Sequence, residues 1–203
     1  MGMNGRVHAV LGGLNPNVSN TLVHLVAAPD GIVSRPRPAD VVLRRLTEAD
    51  AGAWAGVVSA AYGQSTAPST LAQINAGGAI FADVTTWAVF DGSGQLLATV
   101  GTGGYRSDPQ VLGIRRLAVS PASQGRGVGS WLVGESLRRN PTPSRVELIV
   151  KVTRSRALKI YSELGFVLVS DWSAVVRTGQ RRLPMARSLA LRRARRSMSG
   201  TRV

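Results

Sequence analysis

A glycine turn, Gln124-Gly125-Arg126-Gly127-Val128-Gly129, joins an apolar strand candidate, Ile114 to Val119, to an amphipathic helix candidate, Ser130 to Arg139. This constrains the fold more than any other feature. A chain that leaves a strand through three closely spaced glycines and enters a helix at once either makes a tight loop with no ligand or uses the bend to hold an anion. The second use turns several backbone N–H groups toward one point, next to the positive end of the helix. The remaining periodic segments must then pack around a strand–turn–helix unit.

Those segments begin at Val41. Val41 to Leu46 reads as a strand, and Thr47 caps a helix from about Ala49 to Tyr62, with Asp50 placed to complete a capping box. Ser69 to Ala76 reads as a second short helix. Phe81 to Phe90 and Gln95 to Gly104 flank Asp91-Gly92-Ser93-Gly94, a hairpin signal. Gly113 to Ser120 is a strand, Gly129 to Arg139 a helix, Arg145 to Val152 a strand and Ser155 to Leu164 a helix closed by Gly165. Phe166 to Ser170 and Pro184 to Leu189 are closing strands. Trp54 and Trp131 fit helix-core positions, Trp87 fits core packing, and Trp172 fits an edge strand or a dimer contact. The order predicts an α/β fold: a mixed, mostly antiparallel central sheet with helices on both faces. Residues 41–189 form the domain, residues 1–40 a partly flexible extension in which 20–28 forms at most a short strand, and residues 190–203 a basic tail.

Composition excludes several chemistries. The 203 residues contain no cysteine, so a thiol nucleophile and thiolate metal ligands are absent from the chain. His8 and His24 are its two histidines. Both precede residue 41, so a histidine triad or histidine-rich metal centre in the main domain is not expected. The formal charge of +14 is uneven: residues 177–203 carry nine arginines and no acid. The excess is largely a property of the tail, which could meet nucleic-acid phosphate without specificity. No aromatic interleaving or helix-turn-helix pattern supports a nucleic-acid-binding role, which remains the less favoured alternative. No run of apolar residues is long enough for a membrane span, no secretory signal is expected, and the expected location is cytoplasmic.

Two blocks carry a resemblance. Leu117-Ala118-Val119-Ser120-Pro121 runs into the Gln124 turn. About 30 residues later comes Arg154-Ser155-Arg156-Ala157-Leu158-Lys159-Ile160-Tyr161, followed by Leu164-Gly165-Phe166. In this order and spacing they resemble the acyl-CoA-binding core of the GNAT acetyltransferases, over roughly residues 41–189. The resemblance implies an acyl-CoA N-acyltransferase-like fold and transfer of acetyl from acetyl-CoA to a primary amine by direct attack on the thioester. The acceptor would be a small-molecule amine or a peptide N-terminus. It also implies that Leu117, Ala118 and Val119 hold the pantetheine arm through their backbone. Gln124, Gly125, Arg126, Gly127, Val128, Gly129 and Ser130 would cradle the diphosphate, and Tyr161 would protonate the departing thiolate. Where the family often has asparagine seven residues before that tyrosine, this chain has Arg154, which cannot accept a hydrogen bond and is expected to reach a CoA phosphate instead. Many relatives carry an acid where this chain has Arg115 and Arg116; these read as surface charge or as binders of an acidic substrate group. Asp83 and Asp108 are the candidate bases. A catalytically silent CoA-binding protein and a homodimer stay open as alternatives.

Overall fold

The computed structural model describes residues 22–140 and 143–171. The proposed strand Pro184–Leu189, Trp172 and the basic tail lie outside the described residues. Among the described residues seven strands form one sheet: β1 (Leu22–Ala27), β2 (Val41–Arg45), β3 (Thr85–Asp91), β4 (Leu96–Tyr105), β5 (Asp108–Val119), β6 (Arg145–Lys151) and β7 (Val167–Asp171). The α-helices described with it are α1 (Ala51–Tyr62), α2 (Thr70–Asn75), α3 (Val128–Arg138) and α4 (Ser155–Glu163). The strand order is β2-β3-β4-β5-β6-β1-β7, and every neighbouring pair is antiparallel except β5 and β6. The mixed, mostly antiparallel sheet expected from the element order is the sheet that forms.

Helices cover both faces because the strands alternate. Trp87 and Val89 of β3 join a core with Val128, Trp131, Leu132 and Leu158 from α3 and α4. Ala88 and Phe90 point the other way, into a core with Trp54, Val58, Leu71 and Ile74 from α1 and α2. Trp54, Trp87 and Trp131 are all buried, as their spacing suggested. The turn at Asp91 closes through its carboxylate, which accepts from the backbone of Ser93 and Gln95. Gly165 sits at φ 95° after α4.

Three segments depart from the sequence reading. Leu22–Ala27 forms a strand between β6 and β7 and pairs with both, so the sheet takes in part of the segment assigned to an extension. The strand expected from Phe81 starts only at Thr85. Residues 82–84 bond elsewhere, Ala82 N–H to the Gly104 carbonyl and Val84 N–H to the Asn75 carbonyl, leaving Phe81 as an isolated bridge to Tyr105. The strand expected from Gly113 starts earlier, at Asp108, because β4 and β5 form a hairpin through Arg106 and Ser107, with Tyr105 opposite Asp108. Among the described residues no helix is long and apolar enough to cross a membrane.

The start of α1 follows its code. Thr47 and Asp50 make the capping box: the Asp50 carboxylate accepts from the Thr47 N–H at 2.9 Å, and Arg44 of β2 grips the same carboxylate with two bonds of 2.7 Å. The Arg44 bond, with the Thr47 bonds beside it, holds the Asp50 carboxyl well below the usual carboxylate range. Its contribution is therefore complete above about pH 4 and is lost as acid protonates the folded-state carboxylate. We expect Asp50→Asn to lower stability by about 1 kcal/mol near neutrality in denaturant titrations. The difference from the parent should shrink as pH falls below about 4.

Candidate active site

The candidate cleft exists because β5 leaves β6. The two strands pair in parallel at only three positions, Val111 with Arg145, Leu112 with Val146 and Gly113 with Glu147. Beyond Gly113 they separate, while β6 continues to pair with β1 as far as Lys151. A bulge accompanies the departure. The β4–β5 register slips between Thr99 and Gly101, and Arg116 in the extra position takes φ 49°, a conformation costly for a residue with a side chain. The result is a cleft of about 1890 Å³, lined among others by Leu117, Val119, Gln124, the glycine turn, Arg154, Tyr161, Glu147 and His24. Single small-molecule sites usually run to about 300–1,000 Å³, so this space suits two ligands meeting.

At one end lies the glycine turn. Gly125 and Gly127 have φ 80° and 75°, and Gly127 is the N-cap of α3. It supplies no capping side chain, so the first amides of an 11-residue helix face the turn without one. Gly129 lets that helix approach β5 closely: a Cβ there would stand 2.9 Å from the Val119 side chain. Gln124, Gly125, Gly127, Val128, Gly129 and Ser130 all line the cleft. Arg126 does not. Its side chain turns to a smaller hollow beside Asp91, whose carboxyl its charge helps to hold low after the Ser93 and Gln95 bonds.

The cleft edge of β5 is already dressed by side chains. The Tyr62 hydroxyl donates to the Leu117 carbonyl at 3.1 Å, and the Gln124 amide donates to the Val119 carbonyl at 3.3 Å while its oxygen accepts from Arg156. Ala118 between them is buried against α1 and α2 rather than in the cleft. Arg154 lines the cleft, but its guanidinium is directed elsewhere than the sequence reading placed it. It donates to the Ala61 and Tyr62 carbonyls at 3.4 Å and lies 4.9 Å over the Tyr62 ring. An arginine there completes the carbonyl end of α1, where the helix dipole favours a cation.

Tyr161 sits on the wall formed by α4. It is buried, with Phe166 edge-on at 5.6 Å, and it also faces the cleft. Burial, with the Tyr62 phenol adding a little, pushes its pKa far up, so it is a neutral hydrogen-bond donor throughout the physiological range.

The other end, where β5 and β6 still pair, holds a charged cluster that sequence reasoning missed. Glu147 of β6 is buried, and His24 of β1 donates to its carboxylate at 3.1 Å. Arg145 pairs with the second carboxylate oxygen. Burial alone would raise the Glu147 pKa. The His24 hydrogen bond, then the His24 and Arg145 charges, outweigh it and keep the carboxylate ionised below its usual range. Tyr105, tilted against Phe81 at a ring separation of 4.6 Å, stands over this cluster. Burial and then the Glu147 charge push its phenol up to about 12.

His24 thus corrects an expectation. It precedes residue 41, yet it reaches the centre of the domain because β1 fills the slot between β6 and β7. A faint signal was present: His24 inside Leu22–Ala27 and Glu147 between Val146 and Leu148 are polar residues set in apolar strands, and such residues are buried only when paired. The two candidate bases fare differently. Asp108 lines the cleft but is exposed, its carboxylate accepting from the Gln110 N–H at 3.2 Å. Asp83 lies in the bend before β3, is not among the cleft-lining residues, and packs its carbonyl against Gly103.

All three tyrosines of the chain, Tyr62, Tyr105 and Tyr161, line this cleft, and all are shifted upward by burial. Near-ultraviolet titration of the phenols should therefore show none ionising at the ordinary value of about 10 before the chain unfolds. In Glu147→Gln the Tyr105 transition should move down from about 12, because one of the causes that raise it is gone.

Comparison with known proteins matches this geometry to a fold. Residues 82–168 match the family model described as an acetyltransferase (GNAT) domain. No curated protein matches the chain. Among solved structures, a GCN5-related N-acetyltransferase from Sphaerobacter thermophilus is 18% identical with TM-score 0.56, over 82% of this chain and 53% of that one. A GCN5-related N-acetyltransferase from Kribbella flavida is 14% identical with TM-score 0.52, over 73% and 54%. The ribosomal-protein-S18-alanine N-acetyltransferase of Escherichia coli is 19% identical with TM-score 0.51, over 64% and 79%. The chain spans 53–60% of the length of most of the solved structures it matches at the head of the comparison. At such identities the likeness is one of fold. Family model and structural neighbours agree that this chain carries the fold of the GNAT-family acetyltransferases.

Proposed function

We propose that the chain transfers an acetyl group from acetyl-CoA to a primary amine by direct attack on the thioester. The observation that carries this reading is the cleft itself. It opens between β5 and β6, with uncapped helix amides at one end, a neutral buried phenol on its wall and an ionised buried carboxylate at the other end.

The residues present fit the cosubstrate. The amides of Val128, Gly129 and Ser130, turned outward by Gly127, would hold the diphosphate at the positive end of α3. Arg156, which donates to Gln124 of the same turn, adds positive charge. The pantetheine arm would run along the Leu117–Val119 edge. There it exchanges with the Tyr62 hydroxyl and the Gln124 amide for the two carbonyls. Bound acetyl-CoA supplies an activated acyl group on a fair leaving group, so the protein has little covalent chemistry to add.

Tyr161 donates a hydrogen bond to the departing sulfur. Its raised pKa disfavours complete release of the phenol proton, so its effect is that of one charge-assisted hydrogen bond rather than full proton transfer. Glu147 faces the amine. A carboxylate held below its ordinary range is a weak proton sink but a strong acceptor of hydrogen bonds, so it orients the amine and passes the proton on to solvent. Asp108, at the open rim, is the second carboxylate within the cleft lining that is placed near a substrate entrance.

The test is acetyl-CoA-dependent thiol release screened against small amines, amino acids and N-terminal peptides. Amine-dependent release supports transfer; tight acetyl-CoA binding with no release from any amine indicates a silent CoA-binding protein. Tyr161→Phe should lower kcat by roughly tenfold and leave the acetyl-CoA affinity within about twofold, the size expected for one hydrogen bond to a charged group. Because Glu147 is already ionised near neutrality, the alkaline rise of kcat/KM belongs to the acceptor. Substituting an acceptor amine of lower pKa should move that rise down with it, whereas a limb fixed at one pH for every amine would assign it to a group of the protein.

A further inference from the structure

Two arginines that line the cleft just beyond the paired part of β5 have no carboxylate partner among the described residues. Most of the other described cations are committed: Arg44 to Asp50, Arg138 and Arg139 to Glu135, Arg145 to Glu147, Arg35 and Lys159 to Glu163. Arg37, Arg106 and Arg154 donate to backbone carbonyls. Among the described residues no carboxylate pairs with Arg115 or Arg116, although both line the cleft. Regular alternation would have sent these neighbours to opposite faces of the sheet; the bulge at Arg116 is what brings both to one opening.

Arg115 is held rather than loose. Its guanidinium lies 4.6 Å over the Phe81 ring, and that ring occupies the space a side chain on residue 113 would fill: a Cβ on Gly113 would stand 2.2 Å from it. A guanidinium held over an aromatic ring still has N–H donors for a further partner, and its planar fork can grip a carboxylate with two bonds. Burial, followed by the Arg116 charge, lowers the Arg115 pKa, so this cation sits where charge is costly until an anion arrives. Asp108 does not relieve it; its carboxylate belongs to the exposed hairpin rim and accepts from Gln110.

We propose that the acetyl acceptor is a small amine that bears its own carboxylate, with the carboxylate on Arg115 and Arg116 and the amine toward Glu147. This rests on the acetyl-transfer reading and adds the substrate class. Gly113 is the residue opposite Glu147, and Arg115 follows it by two positions, about 6–7 Å of strand. Both groups therefore fit within one small molecule, between the Phe81–Tyr105 wall and the paired ends of β5 and β6. Glu147 contributes to selection as well: as a buried carboxylate it favours the amine end and repels the acid end, which fixes the direction of entry.

The experiment uses α-, β- and γ-amino acids, each beside its carboxamide, with the full chain. Calorimetric binding is measured at saturating CoA, and thiol release is measured with acetyl-CoA. The acid should bind and react at least about tenfold better than its amide, the range for a hydrogen-bonded charge. In Arg115→Gln the KM for the acid should rise by about 10- to 100-fold. The KM for the amide should rise much less than that for the acid, the acetyl-CoA KM should stay unchanged, and Arg115→Lys should recover part of the preference. Arg116→Gln should weaken the acid in the same direction, and it serves should Arg115→Gln fail to fold. Preferential binding of the acid without thiol release keeps the carboxylate site and overturns acetyl transfer. Equal release from acid and amide, release only with peptides lacking a nearby carboxylate, or no binding of either partner overturns the carboxylate site.

Discussion

The separation of β5 from β6 is the constraint on which the rest of this structure depends. A strand that leaves its neighbour in the middle of a sheet exposes a row of backbone donors and acceptors, and such groups are costly unless something meets them. Here the departure is built into the chain by a bulge with Arg116 at φ 49°, and the exposed carbonyls of Leu117 and Val119 are met by the Tyr62 hydroxyl and the Gln124 amide. Both donors come from segments that line the same opening. The edge is therefore satisfied when alone and able to trade those partners for a ligand of similar hydrogen-bonding capacity.

The two ends of the opening are electrically different for separate reasons. At the glycine turn, positive potential arises from uncapped helix amides and from Arg156, which donates to Gln124. At the paired end, a buried carboxylate is kept ionised by His24 and Arg145. Removing one member of such a buried set leaves a charge without its partner, and this typically costs about 3–5 kcal/mol. The same set therefore anchors β1 to β6 and gives the cleft its one deeply buried anion among the described residues. Fold stability and the proposed chemistry draw on the same contacts here.

Much of this was readable in the chain. The strand–turn–helix unit, the Asp91 hairpin, the Thr47–Asp50 capping box and the Tyr161 helix are each encoded locally, within a dozen residues, and local codes survive translation into structure. The cluster of His24, Arg145 and Glu147 was not. His24 lies 123 residues before Glu147 and meets it only because β1 enters the sheet between β6 and β7. Nothing in the periodicity of Leu22–Ala27 specifies that slot. The Arg154 contacts were not readable for a related reason: its type suits a phosphate, while its donation to the carbonyl end of α1 depends on where that helix ends in space. Arg115 and Arg116 were singled out correctly as unusual, while the bulge that points both into one space is a property of backbone pairing with β4.

The most direct measurement is amide hydrogen exchange by NMR on the full chain, with and without saturating acetyl-CoA. Diphosphate held by the helix entrance and pantetheine held along β5 should slow exchange at Val128, Gly129 and Ser130 and at Leu117 and Val119, while amides of β2 and β3 stay unchanged. Unaltered exchange at both places under saturating acetyl-CoA would contradict the account, because the opening between β5 and β6 would then hold no acyl donor.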